Sequence, residues 1–166
     1  MIRIGLLWLV HNFEYYFRYN SLYFSYLTES TGSDYDTESR QYFNEKGYYF
    51  PLKAFSEDRA KYYTECLFKL KGKSKNITLG NNAQINLPHI LFSFVDEIIR
   101  NKLILDSIET ILGPNLLVHG SSFFIKSPNS KTFISWHQDL RYWGLDKDRE
   151  VTAWAALTKG SKENGC

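Results

Sequence analysis

Between positions 1 and 27 apolar residues recur about three or four apart: Leu6, Leu9, Phe13, Tyr16, Phe17, Tyr23, Phe24 and Leu27. That spacing predicts one apolar face of a helix. The run from Ile4 to Val10 is too short to span a bilayer, and Glu14 and Arg18 interrupt its extension. No small-residue cleavage site follows it, which argues against a secretory signal. The segment is expected to be a packing helix, a poorly ordered arm or a helix lying on a membrane surface. Residues 28–39, T-E-S-T-G-S-D-Y-D-T-E-S, are polar and acidic and read as a linker. Residues 1–40 are therefore expected to form a helical arm and linker ahead of a second unit, 41–166.

In that second unit the pattern starts helical. A short helix through Gln41, Tyr42 and Phe43 is expected to end at Gly47, and Tyr48, Tyr49 and Phe50 read as a strand closed by Pro51. Ser56 is a good N-cap for a helix that carries Ala60, Tyr63, Leu67 and Leu70 on one stripe. Residues 71–84 have no period and read as a loop, either solvated or a basic rim for an anionic substrate. Leu91, Phe94, Val95, Ile98 and Ile99 predict a helix over 87–101. Another runs through Leu105, Ile108, Ile111 and Leu112 and stops at Gly113-Pro114. The period then shortens, predicting strands at 116–119, 123–126, 133–139 and 151–157. Helices followed by spaced strands give an α+β class, and a cupin-like jelly roll suits the strand spacing.

Composition changes little in this picture. The 166 residues are enough for a real core, and 43% hydrophobic with 23% charged content is ordinary for a globular chain. A net charge of +2 leaves no electrostatic footprint for nucleic acid. Cys66 and Cys166 make no disulfide framework, so a cytoplasmic setting is expected, without a membrane span.

The candidate chemistry lies in the expected strand 133–139. Alternation would put His137 and Asp139 on one side, an imidazole beside a carboxylate. Such a pair supplies two of the three ligands of a 2-His-1-carboxylate site for non-heme Fe(II). The third, a second His, is expected downstream and would fall after Cys166; His89 and His119 both lie upstream.

The text around the pair carries a resemblance. F-I-S-W-H-Q-D-L-R-Y-W-G-L, then V-T-A-W-A-A-L-T and E-N-G-C, resemble the phytanoyl-CoA dioxygenase family of Fe(II)/2-oxoglutarate hydroxylases. F-N-E-K-G-Y-Y-F-P-L-K-A-F-S-E-D and L-G-P-N-L-L-V-H-G-S-S-F-F-I-K-S-P are similar to its entry strand and first core strands. The resemblance covers residues 41–166. It implies the first part of a double-stranded β-helix, left incomplete here, with Fe(II), 2-oxoglutarate and O₂ as cofactor and co-substrates. It also implies that 2-oxoglutarate leaves as succinate and CO₂ while a small molecule is hydroxylated. An acyl-CoA, an amino-acid derivative or another small molecule all remain open as that substrate.

His137 and Asp139 are then the metal ligands. Gln138, Trp154 and Ser122 match positions near the co-substrate, while Tyr142, Trp143 and Lys126 are expected near the substrate. All but Ser122 have a plain alternative: a structural hydrogen bond for Gln138, core packing for Trp154 and the aromatics, a solvated strand end for Lys126. Related halogenases carry a small residue where Asp139 stands, so the resemblance implies hydroxylation. The family's distal His and the Arg that grips 2-oxoglutarate would both lie past Cys166. The 166 residues alone are accordingly expected to aggregate or stay partly unfolded, and to release no succinate. The rival reading is a non-catalytic jelly-roll binding module or an inactive gene fragment.

Overall fold

The computed structural model describes residues 2–10, 37–73, 87–126, 128–129, 131, 137–143, 149–161 and 163. Its described elements begin with a strand, β1 (Ile2–Val10). Five helices follow: α1 (Thr37–Lys46), α2 (Glu57–Lys73), α3 (Pro88–Leu91), α4 (Ser93–Ile99) and α5 (Lys102–Leu112). Then come β2 (Leu116–Ile125), the single turn α6 (Leu140–Trp143) and β3 (Glu150–Ala156). Helix and strand are mixed, and the described strands make one three-stranded antiparallel sheet in the order β2-β1-β3.

β1 corrects the helical expectation for the start of the chain. A nine-residue run, I-R-I-G-L-L-W-L-V, fits a strand as well as two turns of helix, and periodicity alone does not separate the two. As the middle strand its main chain is bonded on both edges, from Ile2↔Ile125 to Val10↔Leu116 on one side and from Arg3↔Ala156 to Leu9↔Glu150 on the other. The expected helical stretch beyond Val10 and the linker up to residue 36 lie outside the described residues.

The helices hold most of their expected stripes. Ser56 Oγ accepts the Arg59 N–H at 3.2 Å, capping α2, whose Tyr63 and Leu67 are buried. Gly47 stops α1 at φ 77°. The expected helix over 87–101 is two, because Phe92 is extended (φ −130°, ψ 118°) between α3 and α4. Residues 48–50 form no strand; their rings pack on each other and on Tyr42 at the surface, with Tyr48 and Phe50 5.3 Å apart.

The two strands expected at 116–119 and 123–126 are one, β2. The strand runs through a bulge: Leu7 pairs with Gly120 and Trp8 with Val118, leaving His119 as the extra residue. The slip keeps Leu116 and Val118 on the same buried side as Ser121 and Phe123. Leu116, Val118 and Phe123 join Val151, Ala155 and Leu157 against Phe94, Val95, Ile98, Ile99, Ile104, Ile108 and Leu112 in one core. Phe92, Phe94 and Phe123 stack in series at 6.1 Å spacings. Among the described residues no helix is long and apolar enough to cross a membrane.

Candidate functional site

The sheet's other face faces away from this core. On β3, Glu150, Thr152 and Trp154 alternate with buried Val151 and Ala155, and on β2 Ser122 and Phe124 flank buried Phe123. Trp154, 43% exposed, packs its ring 4.5 Å from that of Phe124. The two strands are not neighbours, so the rings reach across roughly 10 Å, two strand spacings. Gly5 pairs with both Ser122 and Trp154 and puts no side chain in their row, while Phe124 pairs with Arg3 in the next row of the same face.

His137 and Asp139 are not in a strand, which corrects the alternation argument. His137 and Gln138 are irregular, and Asp139 opens the turn into α6, where its carbonyl accepts the Tyr142 N–H at 2.9 Å. Residues 133–136 of the expected strand lie outside the described residues. The convergence survives the change of backbone, since His137 Nε2 and Asp139 Oδ1 are 3.0 Å apart, with side chains 31% and 29% exposed. Two donors held in cis about 2.1 Å from a cation also stand about 3.0 Å apart, so the pair suits adjacent positions on one metal.

Thr152 ties the pair to the sheet. Its hydroxyl donates to Asp139 Oδ2 at 2.6 Å and lies 3.4 Å from Glu150 Oε1. Glu150 Oε2 is buried and has no hydrogen-bond partner among the described residues. Burial, then the Asp139 charge, pushes the Glu150 carboxyl above its usual range, and the Thr152 hydrogen bond opposes them.

His137 and Gln138 line a cleft of about 580 Å³ together with Arg141 and Tyr142. Tyr142 is 76% exposed, its ring 6.3 Å from that of His137. Gln138 thus shares the cleft with His137, where alternation had turned it away. Ser122 and Trp154 occupy one register row on the sheet face, and Lys126 follows the end of β2. Trp143 ends α6, and its side chain lies outside the described residues.

Neither upstream His joins the pair: among the described residues no three His, Cys, Asp or Glu are grouped to hold a metal. His89 Nδ1 is 2.6 Å from Ser121 Oγ, which is buried on the core side. Sequence reasoning missed Thr152, Glu150 and Arg141. Alternation in E-V-T-A-W puts Glu150 and Thr152 beside Trp154, but the tie of Thr152 to Asp139 bridges 13 residues.

The model of the phytanoyl-CoA dioxygenase family matches residues 54–166, which takes in β2, β3, the cleft and the His137–Asp139 pair. The chain belongs to this family. A probable alpha-ketoglutarate-dependent hypophosphite dioxygenase of Stutzerimonas stutzeri is 29% identical over 82 residues. That stretch is 49% of this chain and 28% of that relative, so the match spans under a third of the relative's length. No solved structure matches. For a phytanoyl-CoA dioxygenase family member, the described sheet is three strands, without the two facing sheets of a complete jelly roll.

Proposed function

We propose that the protein is an Fe(II)- and 2-oxoglutarate-dependent oxygenase that hydroxylates a small organic or acyl substrate. The observation that carries this is the meeting of His137 Nε2 and Asp139 Oδ1 at 3.0 Å within the family match. In this reading His137 offers a neutral ring nitrogen and Asp139 one carboxylate oxygen to iron, within a family fold of the double-stranded β-helix type. Bound iron with 2-oxoglutarate supplies the activation of O₂, with succinate and CO₂ released.

The chain's own residues do the rest. Trp154 and Phe124 form an apolar wall where the co-substrate is expected, with Ser122 in the same row as a hydroxyl donor. Gln138 and Tyr142 offer hydrogen bonds at the cleft, and Arg141 gives it a permanent cation suited to an anionic substrate group. The relative's alpha-ketoglutarate dependence supports the co-substrate; its hypophosphite, also an anion, agrees with Arg141 in charge only.

The test, made on the full-length protein, is succinate release under Fe(II), 2-oxoglutarate and O₂, alongside anaerobic iron titration. His137→Ala and Asp139→Ala are each expected to abolish iron binding and turnover. Wild-type turnover in both variants would refute the assignment. A folded protein that takes up no iron would instead favour the metal-free binding module.

A further inference from the structure

Asp139 stands on a turn, outside regular strand and just ahead of a four-residue helix. A carboxylate there has little local structure to fix its rotation, yet both oxygens are engaged in different directions. Oδ1 faces His137 Nε2 at 3.0 Å, and Oδ2 accepts the Thr152 hydroxyl at 2.6 Å. The second distance is that of a strong hydrogen bond to an ionised oxygen.

Thr152 is well placed to set that rotation. Its main chain pairs with Leu7 inside the sheet, its neighbour Val151 is buried in the core, and a β-branched side chain is stiff at χ1. Glu150 supplies a competing acceptor for the same hydroxyl, but at 3.4 Å. A hydroxyl has one proton, so the nearer Asp139 oxygen takes it.

We propose that Thr152 is a positioning residue whose hydroxyl holds Asp139 Oδ2, so that Oδ1 alone is presented to a metal shared with His137. This rests on the proposed metal pair. One-oxygen binding leaves a coordination position that a two-oxygen carboxylate would cover. Without the hydroxyl, Asp139 is free to turn both oxygens to the ion or to swing from it.

Cobalt(II), titrated into the protein and followed by its visible absorption, tests this without turnover. Thr152→Val keeps the shape and removes the hydroxyl; Thr152→Ser keeps the hydroxyl and removes the methyl. Thr152→Val is expected to weaken cobalt binding by about 10-fold or more and to shift the visible band at saturation, while Thr152→Ser stays within about 3-fold with an unshifted band. His137→Ala serves as the reference for losing a ligand. Wild-type affinity and band in Thr152→Val, with binding lost in His137→Ala, would overturn the positioning role and leave the metal pair standing. An equal loss in Thr152→Ser and Thr152→Val overturns it as well, because the hydroxyl then has no special part. Unchanged cobalt binding in His137→Ala refutes the metal pair itself, and the role of Thr152 with it.

Discussion

The two faces of the sheet are made from the same strands and do opposite work. Toward the helices, Val118, Phe123, Val151 and Ala155 are buried and packed on α4 and α5. Away from them, Phe124, Thr152 and Trp154 are half-buried or exposed, and Thr152 meets the His137–Asp139 pair through Asp139. One face buries apolar area to hold the fold, and the other leaves polar and aromatic groups within reach of small molecules. A period of two lets one strand serve both, since neighbours point to opposite sides. The cost is sensitivity to register: a slip of one residue would send Thr152 into the core and Val151 into the site.

Breaking the comparison at its strongest point means exchanging which face is damaged. Phe123 is 1% exposed and stacks on Phe94, so Phe123→Ala should lower stability by about 3–5 kcal/mol in urea unfolding. Trp154 is the larger side chain, yet it is 43% exposed, and Trp154→Ala should cost only about 1 kcal/mol. Its loss should fall on 2-oxoglutarate affinity instead. Equal destabilisation by both would mean that the faces are not divided as described.

A smaller effect sharpens the same division from the helical side. Asn101 Oδ1 accepts the Leu103 and Ile104 N–H groups at 3.0 and 3.3 Å, and its amide donates to the Ala54 carbonyl at 2.9 Å. Asn101→Ala uncaps α5 and should cost about 1–2 kcal/mol, with metal affinity unchanged. A loss of metal binding at full folding would show that α5 reaches the site.

How much of this was legible follows from what each signal measures. α2, α5 and β3 were readable because their stripes are buried as the period requires, with Leu67, Ile108 and Val151 in the core. β1 was not, because a middle strand reads as a continuous apolar run, and a short run carries no period of its own. The break at Phe92 was hidden for another reason: Leu91 continues the apolar spacing of Phe94, Val95 and Ile98 in the sequence, although in α3 it is 65% exposed. His137 and Asp139 were found through a strand argument, although a turn brings them together. The family's motif carried what local geometry did not. Thr152 stayed invisible because its meaning lies in a contact that no local pattern encodes.

The smallest expected effect is on the pH dependence of stability. Burial lowers the imidazole of His89 below its ordinary value, with the Asp96 charge opposing, and burial lowers His119 likewise. Both hold protons less readily folded than unfolded. As pH falls through their ordinary value near 6.5, the unfolded chain binds more protons, so this part of the stability is lost on acidification. Glu150 on the site face has the opposite sign. Its raised value means the folded state keeps the proton longer, so stability falls as pH rises from the ordinary value near 4.5 through the raised one. Urea midpoints measured across these windows separate the two. His89→Asn with His119→Asn should flatten the loss below pH 6.5, and Glu150→Gln should raise the midpoint at neutral pH while leaving the acid loss in place. A Glu150→Gln variant that is less stable at neutral pH would mean that its buried oxygen is satisfied in solution by a partner, and that burial is not what strains this carboxyl.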